Sequence, residues 1–87
     1  MSAETTDPVE VIRRRVRVLS LLQSAPISRY DVATKLIVTD KTIQRDIEWL
    51  RDRGVPVTSE QANQYAKSLW SVARKFNAKK WLWFLMQ

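Results

Sequence analysis

The residues best equipped for chemistry in this chain cluster in one short stretch. Asp40, Lys41, Gln44, Arg45 and Glu48 fall on one side of a segment whose other side carries Ile43, Ile47 and Leu50. The edge of a glutamine amide matches N6 and N7 of adenine, and Arg45 or Lys41 matches the paired acceptors of guanine. Each well-made pair discriminates between bases by about 1–3 kcal/mol. Asp40 and Glu48 can orient those cations or accept a hydrogen bond from cytosine. By spacing alone, the same side equally suits an ordinary solvated helix face. Catalysis has far less to work with. The chain has no histidine and no cysteine, which removes imidazole acid–base chemistry, thiolate nucleophiles and zinc-finger ligation. No pair of carboxylates suggests an acid–base pocket, and Gly54 is the single glycine, so no phosphate-cradling loop is available. Neither enzyme activity, a metal nor a cofactor is expected.

The bulk properties suit a polyanionic partner. The 87 residues carry a formal net charge of +6, and basic balance in a small domain favours nucleic acid or an anionic surface. One domain is the expectation at this length. The opening residues Met1 to Asp7 are polar and acidic, unlike a secretory leader. No apolar run approaches the roughly 20 residues that cross a bilayer, so a membrane partner is not expected. A cytoplasmic location in a bacterial, archaeal or phage-encoded setting, at the nucleoid, fits these features.

Three helices must position the polar cluster. Residues 1–6 read as a disordered arm and the domain as 7–72. Asp7 suits an N-cap and Pro8 a first helical position, for a helix over 8–23. Its apolar stripe is Ile12, Val16, Leu19 and Leu22, so most of Arg13, Arg14, Arg15 and Arg17 are expected to face solvent or phosphate. Ala25-Pro26 ends it, and Ile27 suits a single strand-like bridge. Ser28 and Asp31 make a capping pattern for a second helix over 28–36, with Val32, Ala33 and Leu36 inward. Thr39 is the cap of a third helix over 40–53, and Gly54 its left-handed terminator. Three short helices with a tight turn before the third form a helix-turn-helix pattern. In that motif the N-terminal part of the last helix reads base edges. Residues 55–58 and 69–72 look extended, yet Ala62, Tyr65, Ala66, Leu69, Val72, Ala73 and Phe76 also fit helical spacing, so 55–72 reads either as a hairpin or as a helix.

Segments 15–23, 27–36 and 38–57 together resemble the N-terminal winged helix of DeoR-type and WYL-domain transcriptional regulators. The core of the resemblance is Thr42-Ile43-x-Arg45-Asp46-Ile47-x-x-Leu50 followed by Gly54-Val55-Pro56-Val57. It extends over about residues 12–72. The resemblance implies a mainly α fold with a small β-hairpin, a winged helix-turn-helix of three helices and a two-stranded wing over 55–72. It implies that Thr39, Thr42 and Arg45 lie where these regulators cap the recognition helix and contact DNA. The wing lacks the glycines usual at its tip. Those regulators continue into a ligand-sensing or WYL domain, and no effector is expected from the residues here.

Phosphate contacts form the next set of expectations. Ser28, Arg29 and Tyr30 open the second helix, whose free N–H groups can meet a phosphate. Asn63, Gln64 and Lys67 would join them from the wing. The tail 73–87 differs in composition: it is basic, then apolar from Trp81 to Met86. Trp49 and Trp70 are expected in the core. Phe76, Trp81, Trp83 and Phe84 either pack back on the body or form the interface of a homodimer, the usual arrangement for binding two half-sites. The sequence thus favours a DNA-binding regulator, a dimeric repressor. The alternatives are a winged-helix protein-interaction module, favoured by Asp40, Asp46 and Glu48, and an architectural or recombination accessory protein.

Overall fold

The computed structural model describes residues 8–85, so the arm 1–6 and the cap expected at Asp7 lie outside the described residues. Within them the chain runs α1 (Pro8–Ser24), α2 (Arg29–Leu36), α3 (Asp40–Asp52), β1 (Val57–Glu60), β2 (Leu69–Val72) and α4 (Ala78–Leu85). The architecture is a winged helix-turn-helix, and 55–72 is a hairpin, not a helix. The strands pair antiparallel, with Val57 opposite Val72 and Glu60 opposite Leu69. Pairing brings Val57 and Val72 together as a buried facing pair on the core, whereas a helix would set these two residues about four turns apart. Ile27 adds the expected one-residue bridge, donating to Trp70 O at 3.0 Å and accepting from Trp70 N at 2.8 Å.

The core is built from α1, α2, α3 and the inner face of the wing. Ile43, Ile47 and Leu50 of α3 meet Val18, Leu19 and Leu22 of α1, Val32 and Ala33 of α2, and Val55, Val57 and Val72. The α1 stripe is rotated from the expected one, because Val18 is buried while Ile12 and Val16 are only half-buried. Both helices of the helix-turn-helix are capped at their N-termini by local bonds. Ser28 Oγ accepts from Asp31 N at 3.1 Å, and Thr39 Oγ1 accepts from Thr42 N at 3.2 Å. The α3 terminus is a Schellman motif: Val55 N donates to Leu50 O at 3.0 Å and Gly54 N to Arg51 O at 3.1 Å. Gly54 has φ +92 there, which glycine adopts freely.

The same motif ends α2, with Val38 N donating to Ala33 O at 3.0 Å and Ile37 N to Thr34 O at 3.3 Å. Here the left-handed residue is Ile37, at φ 56. A β-branched side chain in that conformation is strained. The motif turn is therefore made by geometry that Ile37 itself disfavours.

Helix α4 is one more element than the sequence pattern supplied. Asn77 caps it, its Oδ1 accepting from Lys80 N at 2.8 Å. Gln23 holds the approach, donating to Ala73 O at 3.1 Å and Phe76 O at 2.9 Å. Trp81 then seats the helix: its Nε1 donates to Arg53 O at 2.9 Å, and its ring meets Trp49 edge-on at 6.1 Å. No helix among the described residues is long and apolar enough to cross a membrane.

Candidate nucleic-acid interface

Three buried apolar residues fix α3 to the body, and this leaves Lys41, Gln44, Arg45 and Glu48 exposed on its outer side. Asp40 and Thr42 are half-exposed at its start. Thr42 is occupied locally, its hydroxyl paired with that of Thr39 at 2.9 Å. One acid departs from this pattern. Asp46, one of the acids that favour a protein-interaction module, is 0% exposed. Arg14 grips it in two bonds, Nε to Oδ2 at 2.6 Å and an Nη to Oδ1 at 2.8 Å, and Arg15 Nε adds a third at 3.1 Å. The pair of arginines therefore faces inward, contrary to the expectation that most of this run faces solvent or phosphate. The reason is geometric: a buried carboxylate between α1 and α3 needs charged donors. Arg15 also lies over the Trp49 ring at 4.4 Å, so it is held by packing as well.

The start of α2 has been brought beside the start of α3. Ser28, expected at a phosphate, is 2% exposed, and its hydroxyl is used as the α2 cap. It is a structural residue for that reason. Arg29 reaches across to α3, its Nη1 donating to Gln44 Oε1 at 3.4 Å, with Nε 3.6 Å from Asp40 Oδ2. Its Nη2 donates to Tyr30 Oη at 3.0 Å. Gln44 Nε2 in turn donates to Glu48 Oε2 at 3.5 Å. The Lys67 ammonium approaches the opposite end of this network, 5.2 Å from the Tyr30 ring centre. A cleft of about 220 Å³ between α2 and the wing is lined by Arg29, Tyr30, Tyr65, Lys67 and Trp70 among others.

The wing tip turns without glycine because Asn63 supplies the turn. Its Oδ1 accepts from Tyr65 N at 2.8 Å, and its carbonyl from Ala66 N at 3.1 Å. Asn63, Gln64 and Lys67 are all exposed there. So is Tyr65, at 88%. Sequence reasoning missed Tyr65 as a surface group, having placed it only in the apolar pattern of the rival helix. The polar pair Asn63-Gln64 before it and Lys67 two residues after it were the available signal.

The tail aromatics divide into two pairs. Phe76 and Trp81 are half-buried and packed against the core. Trp83 and Phe84 are each 59% exposed and stack edge-on at 5.1 Å. No group of three or more His, Cys, Asp or Glu that could hold a metal ion occurs among the described residues.

A tri-helical body, a tight turn and a two-stranded wing define a winged helix-turn-helix protein. The family model described as an HTH domain matches residues 13–65, and the chain belongs to that family. Solved structures agree on the fold. A mutant of ZitR from Lactococcus lactis is similar with a TM-score of 0.64 and 16% identity, over 99% of this chain and 58% of that one. The chain thus spans 58% of ZitR. The homodimeric winged helix-turn-helix DNA-binding domain of Mb0332 from Mycobacterium bovis, described as a possible ArsR-family transcriptional regulator, is similar with a TM-score of 0.63 and 14% identity. That likeness covers 99% of this chain and 88% of the other. Comparison with curated proteins gives no match.

Proposed function

We propose that this protein is a sequence-specific regulator that binds double-stranded DNA with α3 in the major groove. The observation that carries the reading is the two-sidedness of α3. Ile43, Ile47 and Leu50 are buried, and Lys41, Gln44 and Arg45 stand exposed on the N-terminal half. In helix-turn-helix proteins that half meets base edges. Gln44 suits adenine and Arg45 or Lys41 suits guanine. Tyr30, Asn63, Gln64 and Lys67 are the phosphate contacts from α2 and the wing, with Thr39 and Thr42 at the entry to the groove. The net charge of +6 supports a polyanionic partner. The proposed setting is cytoplasmic, at the nucleoid.

The protein acts as a homodimer in this reading, and represses by occupying its site. Trp83 and Phe84 are the dimer contacts, since exposed apolar area of this kind in a small domain marks an interface. The similar Mb0332 domain is homodimeric, which supports the same arrangement here. A protein-interaction role is the weaker reading, because Asp46, one of the three acids that favour it, is enclosed by Arg14 and Arg15. Titration of labelled duplex DNA by fluorescence anisotropy at two salt concentrations tests the choice. A regulator retains a sequence-dependent complex at the higher salt. A protein-interaction module has no preferred sequence, and whatever binding it shows disappears.

A further inference from the structure

Arg29 has the composition of a phosphate contact but not the geometry of one. Its Nε is buried and lies 3.6 Å from Asp40 Oδ2, an ionic approach too long for a hydrogen bond. Nη1 is directed at Gln44 Oε1 and Nη2 at Tyr30 Oη. All three guanidinium nitrogens therefore face groups of the protein itself. Asp40 also offsets the positive charge, and a phosphate drawn to Arg29 would approach that carboxylate.

Gln44 stands between two unlike neighbours. Arg29 offers it a donor at 3.4 Å, and Glu48 Oε2 offers an acceptor at 3.5 Å. Only one orientation of the amide satisfies both, with oxygen toward Arg29 and nitrogen toward Glu48. Turned over, the NH2 group would oppose the guanidinium and the oxygen would oppose a carboxylate. In the orientation present, one lone pair on Oε1 and one hydrogen on Nε2 remain for a ligand. That combination matches adenine, which offers a donor at N6 and an acceptor at N7. Guanine presents two acceptors, N7 and O6, and the fixed amide oxygen would oppose one of them.

We infer that Arg29 is a positioning residue: with Glu48 it locks the Gln44 amide in the orientation that accepts adenine and rejects guanine. This rests on the reading of α3 as a base-reading helix. It separates Arg29 from the proposed phosphate contacts of the wing, of which Lys67 alone carries a charge.

The test begins with selection of a preferred site from a random-sequence duplex library by the full chain. The wild type, Gln44→Ala, Arg29→Ala and Arg29→Lys are then titrated against that site and against versions with each A·T replaced by G·C, at two salt concentrations. At the base pair where Gln44→Ala abolishes discrimination, both Arg29 variants are expected to reduce the preference for adenine about tenfold. The salt slope is expected to stay unchanged, and circular dichroism to report folded protein. Arg29→Lys is the decisive variant, because it keeps the charge but cannot reach Asp40, Gln44 and Tyr30 at once. A uniform loss on every sequence, with a salt slope lower by about 0.9 and rescue by lysine, would make Arg29 a phosphate contact and overturn the inference. Discrimination untouched by Gln44→Ala overturns it as well, while leaving DNA reading by α3 intact. A library that yields no preferred site overturns the reading of α3 and this inference together.

Discussion

Asp46 shows how a single residue can change meaning between sequence and structure. As one of several acids in a charged helix it reads as surface, because carboxylates are seldom fully buried without a partner. Its partners lie 32 and 31 residues away, at Arg14 and Arg15, so no local pattern announces them. Removing one member of a buried ionic cluster leaves the rest uncompensated, which costs about 3 kcal/mol or more. Asp46→Ala should therefore lower the urea midpoint sharply. An unchanged midpoint would mean that the cluster contributes nothing. Ile37 makes the opposite case. It is 90% exposed and left-handed at φ 56, so little packing is lost by replacing it. Asn tolerates that conformation better, and Ile37→Asn should stabilise the fold by about 1 kcal/mol in the same denaturant titration.

Elements were legible in the sequence where their signals are local. The caps Ser28 and Thr39, the terminator Gly54 and the inward triad Ile43, Ile47 and Leu50 depend on neighbours within one or two turns, and each is where its spacing puts it. The hairpin was harder. Tyr65 and Ala66 fit a helical period by chance, and the turn between the strands is made by Asn63 in the absence of glycine. Helix α4 was hardest, since what docks it is Trp81 against a helix end 28 residues earlier. The candidate site divides in the same way. The outer face of α3 followed from periodicity, whereas the link from Arg29 to Gln44 depends on how α2 crosses α3. Trp81→Phe is expected to cost stability. The ring would still pack on Trp49, but the bond to the Arg53 carbonyl would be lost, at about 1 kcal/mol. A fall in melting temperature of about 4–8 °C is expected. No change would mean that the indole N–H does not hold α4 in place.

The whole molecule uses its positive charge in two ways. Arg14 and Arg15 are engaged with the buried Asp46, so part of the positive charge behind the net +6 is committed inside the fold. Near α3 and the wing, the cations Lys41, Arg45 and Lys67 are exposed. The aromatic pair Trp83 and Phe84 lies at the far end of the chain, on a helix already seated through Trp81. Replacing both with serine should therefore leave the fold intact and halve the mass seen by analytical ultracentrifugation. A monomeric wild type would remove the proposed dimer without touching the role of α3.

That role is tested most directly by Arg45→Ala in an anisotropy titration against the selected site and a scrambled duplex, between about 50 and 200 mM salt. Arg45 is exposed on the outer side of α3, and its removal is expected to cost about 1–3 kcal/mol on the selected site alone. Binding to the scrambled duplex and the unfolding midpoint should both be close to wild type. Equal affinity of wild type and variant for both duplexes would rule out base reading by Arg45, and unfolding of the variant would make Arg45 a structural residue.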